Sequence, residues 1–196
     1  MPHPLMPPPE AFVRDRDADV GEEVVWPGKF ITAKRRGRWE YVGRPRNIRA
    51  AAIIAIDEDA DGTRHVIFVS QYRVPLGRFC LEIPAGLVGD IAGEEDEGVL
   101  AAAARELEEE TGYRAGKLEV VGEFYSSPGM ISECFTLLRA TQLEKISEGG
   151  GEGDENILVH LIPADEIADF VAAWREAGHG VDVRVALFLT KDYLGE

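Results

Sequence analysis

The stretch that decides the fold runs from Glu97 to Tyr113 and reads EGVLAAAARELEEETGY. Its composition predicts a helix that ends at Gly112, where glycine is the usual C-terminal cap. Glu106, Glu109 and Glu110 are three or four residues apart, so all three side chains project from one helical face. Like charges at this spacing destabilise an isolated helix. The face therefore either shares a cation or is displayed to solvent.

Two features near this face favour the cation. Arg105 abuts the acidic cluster and can hold a carboxylate in place through a two-pronged hydrogen bond. The helix also follows a strand and the corner Pro84-Ala85-Gly86, which brings backbone oxygens close. Carboxylates, carbonyls and water form the hard-oxygen environment that Mg²⁺ prefers. The pattern predicts a divalent-cation site, with a solvated helix face as the alternative.

The same segment resembles the signature of the Nudix hydrolases, G-x5-E-x7-R-E-U-x-E-E-x-G-U, in which U is a bulky apolar residue. The matching positions are Glu97, Arg105, Glu106, Leu107, Glu109, Glu110, Gly112 and Tyr113. The opening glycine departs from the pattern, because that position is Ile91 here and Gly86 takes its place farther upstream. We interpret this difference as a loop insertion that keeps both ends of the motif.

Flanking motifs narrow the resemblance to the ADP-ribose pyrophosphatase branch of that family. They are Trp39-Glu40-Tyr41-Val42, Gln71-Tyr72-Arg73, Leu81-Glu82-Ile83-Pro84-Ala85-Gly86, and Ser127-Pro128-Gly129 with Glu133. The resemblance implies Mg²⁺-dependent hydrolysis of the pyrophosphate bond of ADP-ribose to AMP and ribose 5-phosphate, with Mn²⁺ as an alternative metal. Hydrolases of other nucleoside diphosphate sugars, of the GDP-mannose or UDP-sugar type, share several of these motifs and are the alternative. A non-catalytic Nudix binding module is less favoured, because the chain keeps every metal-site carboxylate.

The resemblance also implies roles for individual residues. The metal ligands would be the carboxylates of Glu106, Glu109 and Glu110 and the backbone carbonyl of Ala85. Arg105 and Glu97 would orient these ligands. The predicted catalytic residues therefore include Arg105, which orients the ligands, and Glu109, which is one of them. The remaining catalytic residue would be a carboxylate on a later loop that acts as base. Glu155 is the best positional match, and its rivals are Glu152 and Asp154.

Several further residues are candidates for substrate binding. Arg73 and Arg44 can contact the diphosphate or the terminal ribose, since a guanidinium suits phosphate oxygens, although either can instead form a structural ion pair. Trp39 offers a flat platform for adenine, with core packing as the alternative. Glu82 lies among apolar residues and needs a charged partner if it is buried. The resemblance adds Gly129 and Glu133 to this set.

Composition limits the partners of the chain. The net charge is -15, from 36 acidic and 21 basic residues, which argues against nucleic acid and anionic membranes. The first residues, MPHPLMPPPE, lack the pattern of a secretory signal. Cys80 and Cys134 are the only cysteines and do not form a metal-type pair, so they predict a reducing, cytoplasmic location. The expected partner is a nucleotide-sugar small molecule.

The order of elements predicts an α/β (α+β) Nudix fold, with a mixed β-sheet between helices and an N-terminal strand segment. We predict strands near 22–34, 38–43, 50–56, 65–73, 79–86, 118–125, 133–140 and 157–162. Helices are predicted near 99–111, after Pro163, and near 181–193, and 148–155 is predicted to be a mobile loop.

The chain divides into two predicted parts. Residues 1–46 form a tail and strand segment for dimerisation and substrate contacts, and residues 47–196 form the Nudix domain. The resemblance implies a homodimer in which the N-terminal strands pack across the partner and bring Trp39 near the partner's site.

Overall fold

The computed structural model describes residues 5–45, 48–89, 98–151, 153 and 155–190, and the structural statements below concern these residues. Three predicted site residues, Glu97, Glu152 and Asp154, therefore lie outside the described residues. The chain forms two compact units. One unit combines Met1–Asn47 with Ser127–Glu133, and the other combines Ile48–Ser126 with Cys134–Glu196.

The first unit is built on a three-stranded antiparallel sheet, β1 (Glu23–Pro27), β2 (Thr32–Arg36) and β3 (Trp39–Gly43). The turn between β2 and β3 contains Gly37, whose φ of 57° is one that glycine adopts readily. The prediction of a single strand over 22–34 was wrong, because the chain turns between β1 and β2 directly after Pro27-Gly28.

The second unit contains the other strands and both α-helices of the described residues. Its strands are β4 (Arg49–Glu58), β5 (Arg64–Arg73), β6 (Arg78–Glu82), β7 (Ala85–Val88), β8 (Tyr113–Tyr125), β9 (Cys134–Lys145), β10 (Leu158–Pro163) and β11 (Gly180–Val181). Its helices are α1 (Val99–Thr111) and α2 (Ile167–Glu176). Short 3₁₀ helices cover Val74–Leu76 and Val183–Phe188 in this unit, and Pro9–Ala11 in the first.

These strands form one mixed sheet in the order β11-β6-β5-β4-β9-β8. The β4–β9 and β11–β6 pairs are parallel, and the other pairs are antiparallel. The first half of β4 pairs with β7 and its last residues pair with β5, while β10 adds to β5. Because β7 follows the Pro84 corner and pairs with β4, it brings the Ala85-Gly86 backbone to the helix that follows.

Two hydrophobic clusters cover the two faces of this sheet. Alternate residues of β4 separate between them: Ala51, Ile53 and Ala55 belong to the cluster that contains α1, and Ala52 belongs to the one that contains α2. The α1 cluster is completed by Ile67, Val88, Ala102, Ala103, Leu107, Tyr113, Leu138 and Ala140. The fold class predicted from the sequence is confirmed, with α1 and α2 on opposite faces of a mixed sheet.

The described end of the chain differs from the first part of the predicted helix near 181–193, whose last residues, 191–193, lie outside the described residues. Gly180–Val181 instead pairs in parallel with β6, and a 3₁₀ helix follows from Val183 to Phe188. Asp182 begins this 3₁₀ helix, because its carboxylate accepts a hydrogen bond from the Arg184 N–H. Within the described residues, no helix combines the length and the apolar character needed to cross a membrane.

Candidate active site

Helix α1 approaches β7 so closely at Gly86 that a larger residue there would displace a side chain of the helix. The Glu106 side chain passes directly over Gly86, and a Cβ built on Gly86 would lie 1.9 Å from Glu106 Cδ. Ala102 and Ala103 are fully buried in the cluster beneath the helix, where larger side chains would hold it away from the sheet. The small residues on both elements therefore set the position of the Glu106 carboxylate.

Glu110 has a strongly raised pKa and is largely buried. Its residue is 8% exposed, and its Oε2 accepts a hydrogen bond from the Ala85 N–H at 3.0 Å. Burial raises the pKa of Glu110 to about 8, and the charges of Glu106, Glu155 and Glu82 act in the same direction against the Ala85 bond. The structure thus places a largely buried carboxyl group next to three other carboxylates.

Arg105 joins the other two glutamates. Its Nη1 donates to Glu106 Oε1 at 2.9 Å and to Glu109 Oε2 at 3.0 Å. Glu110 is turned to the Ala85 amide instead, and among the described residues no three acidic, histidine or cysteine side chains converge as a ready set of metal ligands. The three glutamates share a helical face as the sequence predicts. Two of them, Glu106 and Glu109, are bound by the Arg105 guanidinium.

Glu82 is buried and has the charged partner that its position requires. Arg73 binds it with both arms of the guanidinium, Nε to Oε1 at 2.5 Å and Nη2 to Oε2 at 2.8 Å. The Glu82 bond raises the pKa of Arg73, so this guanidinium stays charged. The Arg73 side chain is still 46% exposed, which leaves part of it accessible to a ligand.

A second arginine at Glu82 was missed by sequence reasoning. Arg184 Nη2 lies 3.5 Å from Glu82 Oε2, and Arg184 also forms a two-pronged pair with Asp182 at 2.7 and 3.1 Å. The short spacing of Asp182 and Arg184 signals a local pair. Nothing in the sequence connects that pair to Glu82, because the contact arises from the pairing of β11 with β6.

A pocket joins these groups. It is lined by Val69, Gln71, Arg73, Glu82, Ile83, Ala85, Glu110 and Ile157. Its lining includes both the Arg73–Glu82 pair and the buried Glu110. Gln71 supplies a neutral amide to the same wall, and the sequence had assigned it no individual role. The pocket thus offers phosphate-binding and metal-binding chemistry side by side.

The other predicted substrate residues belong to the first unit. Arg44 Nε donates to Glu133 Oε1 at 2.6 Å, so these two residues form a partly buried ion pair. Trp39 is 44% exposed at the start of β3 and is not a core residue. Gly129 has open space where a Cβ would stand. Their roles toward a substrate remain predictions.

Comparison with known proteins identifies the family. The model of the NUDIX domain matches residues 46–179, and the chain belongs to the Nudix hydrolase family. An ADP-sugar pyrophosphatase of Mus musculus is 38% identical over 187 residues, which cover 85% of this chain and 83% of the mouse protein. An ADP-ribose pyrophosphatase of Bacillus subtilis is 41% identical over 113 residues, or 58% of this chain and 56% of that protein.

A solved structure shares the fold. The crystal structure of an ADP compounds hydrolase superposes with a TM-score of 0.62 and 22% identity, covering 89% of this chain and 92% of the other. At this identity the likeness establishes the architecture, and the chemistry must be argued from the residues themselves.

The contact between Gly86 and Glu106 generates a prediction. Gly86→Ala should reduce hydrolytic turnover with Mg²⁺ by at least about tenfold, because the new methyl group pushes the Glu106 carboxylate aside. The melting temperature should change little, since the displaced atoms are the end of a flexible side chain. The measurement is steady-state turnover together with thermal unfolding.

Gly98→Ala is the matched control, because Gly98 caps the other end of α1 and has no atom within 4 Å of a built Cβ. Equal activity of Gly86→Ala and the wild type would show that hydrolysis does not depend on the position of Glu106 over β7.

Proposed function

We propose that this protein hydrolyses the pyrophosphate bond of ADP-ribose to AMP and ribose 5-phosphate in a Mg²⁺-dependent reaction. The observation that carries the proposal is that buried Glu110 on α1 lines the same pocket as the Arg73–Glu82 pair, close enough for their charges to interact. A diphosphate carries negative charge that one arginine cannot balance beside several glutamates. The site therefore calls for cations in addition to Arg73.

The donors at this site suit a hard divalent cation. Glu106, Glu109 and Glu110 supply carboxylate oxygens, and the Ala85 carbonyl is the predicted backbone ligand. The raised pKa of Glu110 reflects burial and repulsion from neighbouring carboxylates, which a bound cation would relieve. Bound Mg²⁺, or Mn²⁺ in its place, would neutralise diphosphate oxygens and acidify a water molecule.

Side chains of the protein bind the phosphate, orient the metal ligands and accept a proton. Arg73 binds phosphate oxygens with the exposed part of its guanidinium, while Glu82 fixes its direction through two hydrogen bonds. Arg105 orients Glu106 and Glu109. Glu155 accepts the proton of the attacking water.

The choice of ADP-ribose rests on two further supports. The relatives described above include an ADP-ribose and an ADP-sugar pyrophosphatase. Trp39 presents an exposed aromatic side chain on which adenine can stack, and the Arg44–Glu133 pair offers polar groups for a sugar, with Gly129 on the same segment as Glu133. The alternative remains a GDP-mannose or UDP-sugar hydrolase, because the residues around the diphosphate do not distinguish one base or one sugar from another.

Comparison of substrates tests this choice. ADP-ribose should be hydrolysed with a kcat/KM at least about tenfold above those of GDP-mannose and UDP-glucose, giving equimolar AMP and ribose 5-phosphate.

Glu110→Gln should lower turnover by about 100-fold or more and keep the fold, because it removes a ligand charge without changing shape. Chromatography of the products and circular dichroism provide the measurements.

Rapid turnover of GDP-mannose or UDP-glucose beside little turnover of ADP-ribose would contradict the substrate. Binding of ADP-ribose without hydrolysis of any substrate would instead indicate a binding module.

We also propose that the chain forms a homodimer through its N-terminal sheet and acts in the cytoplasm. Large apolar side chains of β1 and the following turn are at least 44% exposed, namely Val24, Val25, Trp26, Phe30 and Ile31. Clustered exposed apolar residues mark interaction surfaces. A second copy of the chain is the occupant that the family resemblance implies. The two free cysteines suit a reducing compartment.

The dimer proposal predicts a mass. Light scattering should give twice the mass of the 21.5 kDa chain. Val25→Glu should shift the protein toward the monomer, because it places a charge in the apolar patch. Val13→Glu changes a more exposed valine outside the β-sheet and should leave the dimer intact. A monomer for the wild type at working concentration would contradict the proposal.

A further inference from the structure

The glycine-rich segment after β9 is bound to the last turn of α1. Gly150 N–H donates to the Glu110 carbonyl at 2.8 Å, and Gly151 N–H donates to the Glu109 carbonyl at 3.0 Å. The last carbonyls of a helix have no partner within the helix, so the loop satisfies two of them. The same two glutamates carry side chains that belong to the candidate site. The loop is therefore anchored to the backbone of the site itself.

Only glycine allows the backbone of residues 149–151 to lie this close to the end of α1. Gly149, Gly150 and Gly151 have φ values of 68°, 112° and 79°, in the region that other residues rarely adopt. A Cβ on Gly149 would lie 2.4 Å from the carbonyl carbon of Thr111, which is backbone and cannot turn away. The composition that predicts a mobile loop is thus also what lets its first half pack against the helix.

The second half of the segment returns to the same anchor. The Ile157 N–H donates to the Gly150 carbonyl at 3.0 Å, and Ile157 is buried and lines the pocket that contains Glu110. Glu155 lies between the two anchors with its side chain against Gly151: a Cβ built there would lie 2.4 Å from Glu155 Oε2 and 2.9 Å from Glu155 Cβ. The charge of Glu155 reaches Glu110, where it raises the pKa.

We infer that Gly150 and Gly151 are positioning residues that fix Glu155 at the C-terminal end of α1. Their N–H groups hold the loop on Glu109 and Glu110, and the bare Cα of Gly151 gives the Glu155 side chain its place. This inference rests on the proposed function, in which Glu155 accepts a proton. A plain helix cap would stabilise α1 but would not govern what Glu155 does.

Gly151→Ala tests the inference against a matched control. We expect kcat for ADP-ribose to fall between about 10- and 100-fold, with KM within about threefold, because the methyl group displaces Glu155. Gly153→Ala places alanine at a similar φ of 60° with no atom within 4 Å of the new Cβ. Both positions have a positive φ that alanine rarely adopts, and the kcat of Gly153→Ala should stay within about twofold of the wild type.

A double-mutant cycle with Glu155→Gln separates positioning from capping. Glu155→Gln alone should lower kcat, and adding Gly151→Ala to it should cost less than about twofold more, because the group that Gly151 positions is already inactive. Additive losses, or a lower melting temperature with an unchanged kcat, would overturn the positioning role. An unchanged kcat in Glu155→Gln would refute the proposed role of Glu155 instead, so the two failures are distinguishable.

A second variant guards against misfolding of Gly151→Ala. Gly151→Asn keeps the collision with Glu155 while asparagine tolerates the left-handed conformation better than alanine does. It should show the same loss of kcat with a melting temperature closer to that of the wild type. A folded Gly151→Asn variant with full activity would also overturn the inference.

Discussion

The structure depends on one constrained group, the buried carboxyl of Glu110. It is held by the Ala85 amide and surrounded by the charges of Glu106, Glu155 and Glu82. Burial of a carboxylate among other carboxylates is unfavourable unless it is protonated or a cation compensates it. The fold brings these groups together despite that cost. β7 pairs with β4, α1 packs against β7, and the glycine segment closes on the end of α1.

Arginine side chains organise the surrounding charge without removing it. Arg105 bridges Glu106 and Glu109, and Glu82 is shared between Arg73 and Arg184. Each of these guanidinium groups is engaged by carboxylates of the chain, so apart from the exposed part of Arg73 they offer little positive charge to a diphosphate. The acidic net charge of -15 is consistent with a site in which added cations supply most of the neutralisation.

Local signals in the sequence were sufficient for the central helix. The bounds of α1 and the left-handed cap at Gly112 are as predicted, because helix spacing and a glycine cap are short-range patterns. The need of Glu82 for a partner was also evident, because a buried charge in a strand requires one. These features place the acidic face and one wall of the pocket.

The features that escaped prediction arise from long-range contacts. Arg184 reaches Glu82 only because β11 pairs with β6, and the same pairing replaces the start of the helix predicted near 181–193. The attachment of Gly150 and Gly151 to α1 depends on carbonyls that become available only at a helix end. Glycine content alone indicated mobility and gave no sign of the partner.

In the proposed function, Glu110 is a buried acid that must ionise when a divalent cation binds. Calorimetric titration of chelator-treated protein with Mg²⁺ at pH 7, in buffers of different ionisation enthalpy, counts the protons released. Because burial raises the pKa of Glu110 to about 8, ionisation of this group when the metal binds at pH 7 should release protons to the buffer. Glu108→Gln, which alters a glutamate paired with Arg114, should release the same amount, and Glu110→Gln should bind Mg²⁺ more weakly and release almost none. Equal proton release by the wild type and Glu110→Gln would contradict the account.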